Sequence, residues 1–443
     1  GQGLYFSVEH VAAPVENTPS LPASAPQPSA TLTAATPTAQ PTPAPTPEPI
    51  PAGDTSDLLA QALAAGVVSE EEGLIAWLKA LTGEADLPPY LAAETLSGEV
   101  MGMLARIQAY LQTGTNEAAK AEMLRLQALA FPSETDLLRY AEPASLARAP
   151  GHAVLRPQTA SPCPNREEFI CLRYAEFADR GFNYRVFYPR DADPRLGEWW
   201  LPYLDVTRDT LQRSLDRFSS LAPVGPVTIV FHPIPAVPGF TSYAAYPQTI
   251  HTAGTACPVF IYTTVATGHI SPGDYAQVLA HEIFHCLQSY NFRSRAVTHY
   301  TSAAWWVESI AEYYSRKAIP GIDFEEGDLV RGFDAAIKYL PLTNWNLRYS
   351  NLVFMEYAGS ELGDSGMLDL MSAMPEAAGE PAQRAAFAAF PSSQDLLHRF
   401  AQAYFENRVP GVRVHPTPMD TININGSATA AVEAPPLTVR SYV

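Results

Sequence analysis

Apolar positions recur at helical spacing over a long early stretch of the chain. DTSDLLAQALAAGVVSEEEGLIAWLKAL (from Asp54), ETLSGEVMGMLARIQAYLQTG and NEAAKAEMLRLQALAF each place apolar residues on one face of a 3.6-residue period. The pattern predicts a helical module over residues 54–147. A loop-rich stretch, PASLARAPGHAVLRPQTASPCP, follows, and then the period changes. Tyr184–Tyr188, VTIVFHP from Val227 and CPVFIYTTV from Cys257 read as β-branched and aromatic strands. Between the first two, EWWLPYLDVTRDTLQRSLDRFSSL reads as an amphipathic helix. DYAQVLAHEIFHCLQSYNF and SAAWWVESIAEYYSRKAI read as two further helices, and the pattern stays mostly helical to about Phe405. The expected class is α+β, with an α/β half over residues 148–300 and an all-helical half over 301–418. Residues 419–443 return to strand patterning. They are too few for an independent sheet, so they either pair elsewhere in the chain or begin a β domain.

Composition adds a linker. Of the 41 prolines, 12 fall in residues 14–51, among Ala, Thr and Ser. Such a run has little apolar bulk to bury and favours extended, solvated polyproline II, so residues 14–53 are expected to be a disordered spacer. Ser/Thr-Pro composition also suits an O-glycosylated stalk. Residues 1–13 stay unassigned. Charge excludes some partners: 28 Lys plus Arg against 46 Asp plus Glu leave a net charge of −18. A nucleic-acid or anionic-membrane binder needs clustered cations instead. No apolar run reaches the ~18 residues of a membrane-spanning helix.

The four cysteines, Cys163, Cys171, Cys257 and Cys286, allow three pairings. A local Cys163–Cys171 bridge and a strand-to-helix Cys257–Cys286 bridge are expected in an oxidising compartment. Four reduced, buried thiols are the alternative.

Chemistry enters with His281-Glu282-Ile283-Phe284-His285, an HExxH segment on an apolar-periodic helix that also carries Leu279 and Leu287. Residues i and i+4 share a helix face, so both imidazoles can reach one ion at about 2.0–2.1 Å. Glu282 points aside and can serve as general base toward the attacking water. Two satisfied core histidines are the bland alternative. A catalytic zinc takes a third protein ligand. The extended HExxHxxGxxH pattern fails, because Gln288 stands at the Gly position and Asn291 at the third His. Downstream, Trp305-Trp306-Val307-Glu308-Ser309-Ile310-Ala311-Glu312-Tyr313 places Glu308 within an apolar stretch, where an unpaired charge is costly and a metal would remove the cost. Glu312, one turn on, can accept the outer N–H of a ligand imidazole. An ordinary solvated glutamate face is the alternative for both.

HEIFH followed by WWVESIAEYY resembles the gluzincin metallopeptidases. It is particularly similar to bacterial extracellular peptidases whose third-ligand segment reads W-x-x-E-G-x-A-E-Y; Ser309 replaces the usual Gly. The resemblance implies a zincin-like catalytic domain over residues 148–418, Zn²⁺ bound by His281, His285 and Glu308, and catalysis by Glu282. In aminopeptidase members a later helix carries an oxyanion-stabilising Tyr, which implies Tyr349 here. The family's substrate runs along an edge strand, and SYAAYPQTIHTAG (from Ser242) is the candidate for that strand or its loop. His232 and His251 are assigned no role, and the acidic loop DFEEGD (Asp323–Asp328) is expected to be solvated. The resulting expectation is an extracellular, secreted or surface-tethered, bacterial zinc peptidase acting on a peptide or protein. The alternatives are a zinc-retaining surface binding module without proteolytic activity and a latent zymogen capped by residues 54–147.

Overall fold

Among the described residues one mixed sheet organises the protein. The structure is a computed structural model that describes residues 55–82, 84–86, 88–91, 99–143, 172–179, 182–190, 197–221, 226–232, 244–245, 257–262, 270–296, 300–322, 326–375, 379–416 and 437–439. Within these, the strands are β1 (Glu142–Pro143), β2 (Leu172–Asp179), β3 (Phe182–Pro189), β4 (Val227–His232), β5 (Ala244–Ala245) and β6 (Cys257–Tyr262). Their order across the sheet is β1-β2-β3-β4-β6-β5. The β2–β3 and β5–β6 pairs are antiparallel, and the β1–β2, β3–β4 and β4–β6 pairs are parallel. Every residue of β4 and β6 is buried. Their near-continuous apolar composition suits strands covered on both faces.

Successive side chains of a strand point to opposite faces, and the contacts of β3, β4 and β6 follow that rule. On one face Arg185 and Thr228, register partners, both reach Glu134, and His232 meets the Leu129 carbonyl. Phe260 packs edge-on against Phe131 with ring centroids 5.6 Å apart. The early helices are α1 (Thr55–Ala64), α2 (Glu70–Leu81), α3 (Glu99–Thr113), α4 (Glu117–Ala130) and α5 (Glu134–Tyr140); Leu129 lies on α4, Glu134 on α5 and Phe131 in the turn between them. On the other face Phe231 meets Tyr275 and Trp199, and Cys257 is bonded to Cys286. Tyr275 and Cys286 lie on α7 (Pro272–Ala296), which packs with α6 (Leu201–Arg217) and α8 (Tyr300–Ala318).

The end of α4, the turn after it and α5 form a layer on one face of the sheet, α3 packs against α8, β1 joins the sheet directly, and all described residues belong to one compact unit. The physical reason is burial: without this layer the apolar and aromatic residues on one face of β4 and β6 would meet water. The long apolar pattern from Asp54 also divides into two helices. Gly66 adopts φ 67°, and Ser69 then caps α2 in a reciprocal box with Glu72. Strand β2 carried no readable signal. Its sequence LRYAEFAD mixes exposed, half-buried and buried positions, and its place is set by pairing with β3 and by the Arg185–Glu176 ion pair.

The helical half contains α9 (Glu326–Ala336), α10 (Leu352–Ala373), α11 (Glu380–Ala389) and α12 (Ser393–Phe405). Here the helical expectation holds. At Gly359 a β-carbon would lie 2.3 Å from Tyr313 ring atoms, so a glycine lets α10 approach α8. Leu437–Val439 form no strand. They bond instead to the helical half, Leu437 O accepting from Leu342 N and Val439 N donating to Ile337 O. The rest of 419–443, the linker 14–53, residues 1–13, Cys163, Cys171, His251 and Asp323 lie outside the described residues. The Cys257–Cys286 bridge is present, with Cα atoms 5.8 Å apart. Among the described residues no helix is long and apolar enough to cross a membrane.

Candidate metal centre

Two helices bring the site together. Ser271 caps α7: its Oγ accepts from the Asp274 backbone N–H at 3.1 Å. The apolar face of α7, Leu279, Ile283, Phe284 and Leu287, is wholly buried. Phe284 stacks on Tyr314 of α8 at 4.7 Å and meets Phe218, just past α6, at 4.9 Å. This packing fixes α7 against α8 along the side that carries His281 and His285. On α8, the indole N–H groups of Trp305 and Trp306 both donate to Gln383 Oε1 at 3.2 Å, which holds the turn before Glu308. Ser309, where a glycine was expected, donates from Oγ to Trp305 O at 2.6 Å within the same helix, so its hydroxyl is satisfied.

His281, His285 and Glu308 are all buried, and one ligand atom from each meets at a common point. The two Nε2 atoms are 2.9 Å apart, and Glu308 Oε2 lies 3.1 Å from His281 Nε2 and 3.3 Å from His285 Nε2. A tetrahedral ion with bonds of about 2.0–2.1 Å has ligand–ligand edges of about 3.3 Å, close to this triangle.

The outer nitrogens show what the inner ones present. His281 Nδ1 lies 3.0 Å from Glu312 Oε2, and the other Glu312 oxygen accepts from Gln277 Nε2 at 2.9 Å. His285 Nδ1 lies 2.8 Å from Gln288 Oε1, while Gln288 Nε2 donates to Val307 O at 3.0 Å. Both Nδ1 atoms are thus donors, so a neutral imidazole at either position turns a bare Nε2 lone pair inward. Two lone pairs and a carboxylate oxygen converge, and such a set demands a positive charge among them. The titration tendencies agree. Burial pushes His281 down, but hydrogen bonds and charge from Glu308 and Glu312 outweigh it and hold it well above its ordinary value. Burial pushes Glu308 up, and the neighbouring His285 and His281 override it and hold the carboxyl well below its usual range. The group can hold a metal ion, and among the described residues it is the one cluster of this kind.

Glu282, adjacent to His281, is half-buried, and its charge is felt at both Tyr262 and Tyr349. Tyr349 arrives from the segment before α10. Asn351 anchors that segment by donating from Nδ2 to Trp305 O at 3.2 Å and Leu342 O at 2.7 Å. The Tyr349 ring lies 6.1 Å from that of His281, its hydroxyl donates to Glu308, and the Arg348 guanidinium sits 5.4 Å from its ring centre. Burial first, then the charge of Glu308, raises Tyr349 well above the ordinary tyrosine value, so the hydroxyl stays protonated.

No family model matches this chain, and no curated protein matches it.

What the site can do is therefore read from its own atoms. The structure brings His281, Glu282, His285, Glu308, Glu312 and Tyr349 together. Cys286, next to His285, turns away to the sheet and Cys257. His232 lies at the far face of β4 in contact with Leu129; burial pushes it down to about 3. Gln277 and Gln288 contact the site and carried no assignment from sequence. Their signal was positional: Gln277 stands one turn before His281 and Gln288 three residues after His285, buried polar residues on a ligand-bearing helix. Ala244–Ala245, within the candidate edge segment, form β5 at the sheet margin, antiparallel to β6 and close to α7.

Proposed function

We propose that the protein is a gluzincin-type zinc metallopeptidase that hydrolyses peptide bonds. The observation that carries this reading is the convergence of His281 Nε2, His285 Nε2 and Glu308 Oε2, with a half-exposed Glu282 beside them. A donor set of two imidazoles and one carboxylate matches catalytic zinc, which keeps a fourth position open. Zinc, when bound, supplies Lewis-acid polarisation of the scissile carbonyl and lowers the pKa of water. Glu282 takes a proton from the attacking water and passes it to the leaving amine. Tyr349, kept neutral and within reach of Glu308, donates a hydrogen bond to the developing oxyanion. Glu308 holds the ion, and Glu312 keeps His281 oriented. The substrate chain adds a strand beside β5, the sheet edge nearest α7.

Glu282 also separates this reading from a zinc-retaining binding module. It holds no ligand position, and a binding module gives it no task. The latent-zymogen reading is not favoured, because Leu129, Phe131 and Glu134 at the end of this segment pack directly on the sheet. The Cys257–Cys286 bridge supports a location outside the cell. The test is cleavage of a peptide library by the purified chain and by Glu282→Gln, with zinc measured in both. We expect one zinc per chain in each and cleavage only by the native protein. Full activity in Glu282→Gln would sink the reading.

A further inference from the structure

We propose that Gln288 is a positioning residue for the metal: it sets the tautomer of His285 and ties the two ligand-bearing helices together at the ion. The inference rests on the metal reading above.

Gln288 is 1% exposed and bonded at both ends of its amide. Its Nε2 donates to the carbonyl of Val307 at 3.0 Å, the residue immediately before Glu308. A carbonyl oxygen can only accept, so the Val307 bond fixes which end of the amide is N–H. The oxygen is then left facing His285 Nδ1 at 2.8 Å, and that nitrogen must carry the proton. The His285 Nε2 lone pair is thereby committed to the side where His281 and Glu308 converge. One buried side chain therefore connects α7, the second imidazole and the backbone that delivers the third ligand.

The two imidazoles are supported differently. His281 rests on the carboxylate Glu312, itself held by Gln277, whereas His285 rests on a neutral carboxamide. The choice has an electrostatic consequence. Glu308 and Glu312 already supply two negative charges to balance a divalent ion. An amide orients His285 without adding a third, which preserves the ion's pull on a carbonyl oxygen. Support of this kind is expected to change metal affinity about 10–100-fold.

The experiment measures zinc affinity of the full chain by competition with a chromophoric chelator, together with the visible spectrum of the cobalt-substituted protein. Gln288→Met keeps the volume and removes both hydrogen bonds. It should bind zinc about 10–100-fold more weakly and shift the cobalt bands. Gln288→Glu keeps an acceptor for His285 and loses the donor to Val307. It should bind zinc at least as tightly as the native chain while melting at a lower temperature without metal. A purely structural role predicts weaker zinc binding in both variants. Native affinity with an unshifted cobalt spectrum in Gln288→Met overturns the positioning role and leaves the metal centre standing. Weaker zinc binding in Gln288→Glu also overturns it, and serves as the test should Gln288→Met fail to fold. A native chain that takes up no zinc overturns the underlying metal reading instead.

Discussion

Glu312 Oε2 accepts from His281 Nδ1 at 3.0 Å, one helical turn beyond Glu308 on the same face of α8. The carboxylate fixes the tautomer with the proton on Nδ1, which makes Nε2 the ligand nitrogen, and raises its basicity. Glu312→Ala should therefore weaken zinc binding by about 10–100-fold, read by chelator competition on the purified chain. Native affinity in this variant would mean that packing alone orients His281.

Tyr349→Phe removes one hydroxyl and keeps the ring beside His281 and Arg348. Loss of one oxyanion donor is expected to lower kcat about 10²–10³-fold, with KM and zinc content little changed. A kcat within a few-fold of native would remove Tyr349 from the chemistry.

His232 predicts acid sensitivity. Burial depresses it from 6.5 to about 3, while in the unfolded chain it titrates near the ordinary value. Between these limits the unfolded state binds more protons than the folded state, so stability falls as pH falls through this window. Above it the contribution is fully present. The slope from this residue alone reaches about 1.4 kcal/mol per pH unit. Denaturant melts at pH 4 to 7 (roughly the window in question) should show a shallower pH dependence in His232→Gln than in the native chain. Parallel curves would assign the acid sensitivity elsewhere.

The early helices should prove indispensable to the fold. Phe131 is 1% exposed against Phe260, and Phe131→Ala should cost about 3–5 kcal/mol of stability. A chain beginning near Arg156 should lack a cooperative melting transition. A folded, more active truncation would instead revive the idea of a removable cap.

Much of the site was legible from order alone. Helical spacing brings His281 and His285 to one face whatever the rest of the fold does, because i and i+4 are neighbours on any α-helix. An apolar setting marked Glu308 as a charge in need of a partner. The two Gln contacts were not legible, since an amide on a helix reads the same whether it meets water or an imidazole. Strand β2 was hidden for a related reason: its mixed side chains make sense only opposite β3.

The sequence by itself determined the helices, the buried strands β4 and β6, and the two-histidine face, all of which follow from local periodicity. The tertiary structure alone decided that the end of α4 and α5 cover one face of the sheet, that α8 presents Glu308 to α7, and that Gln288 spans the gap between them. Those relationships join residues far apart in the chain. They depend on which apolar faces bury each other, and no repeat along the sequence encodes that choice.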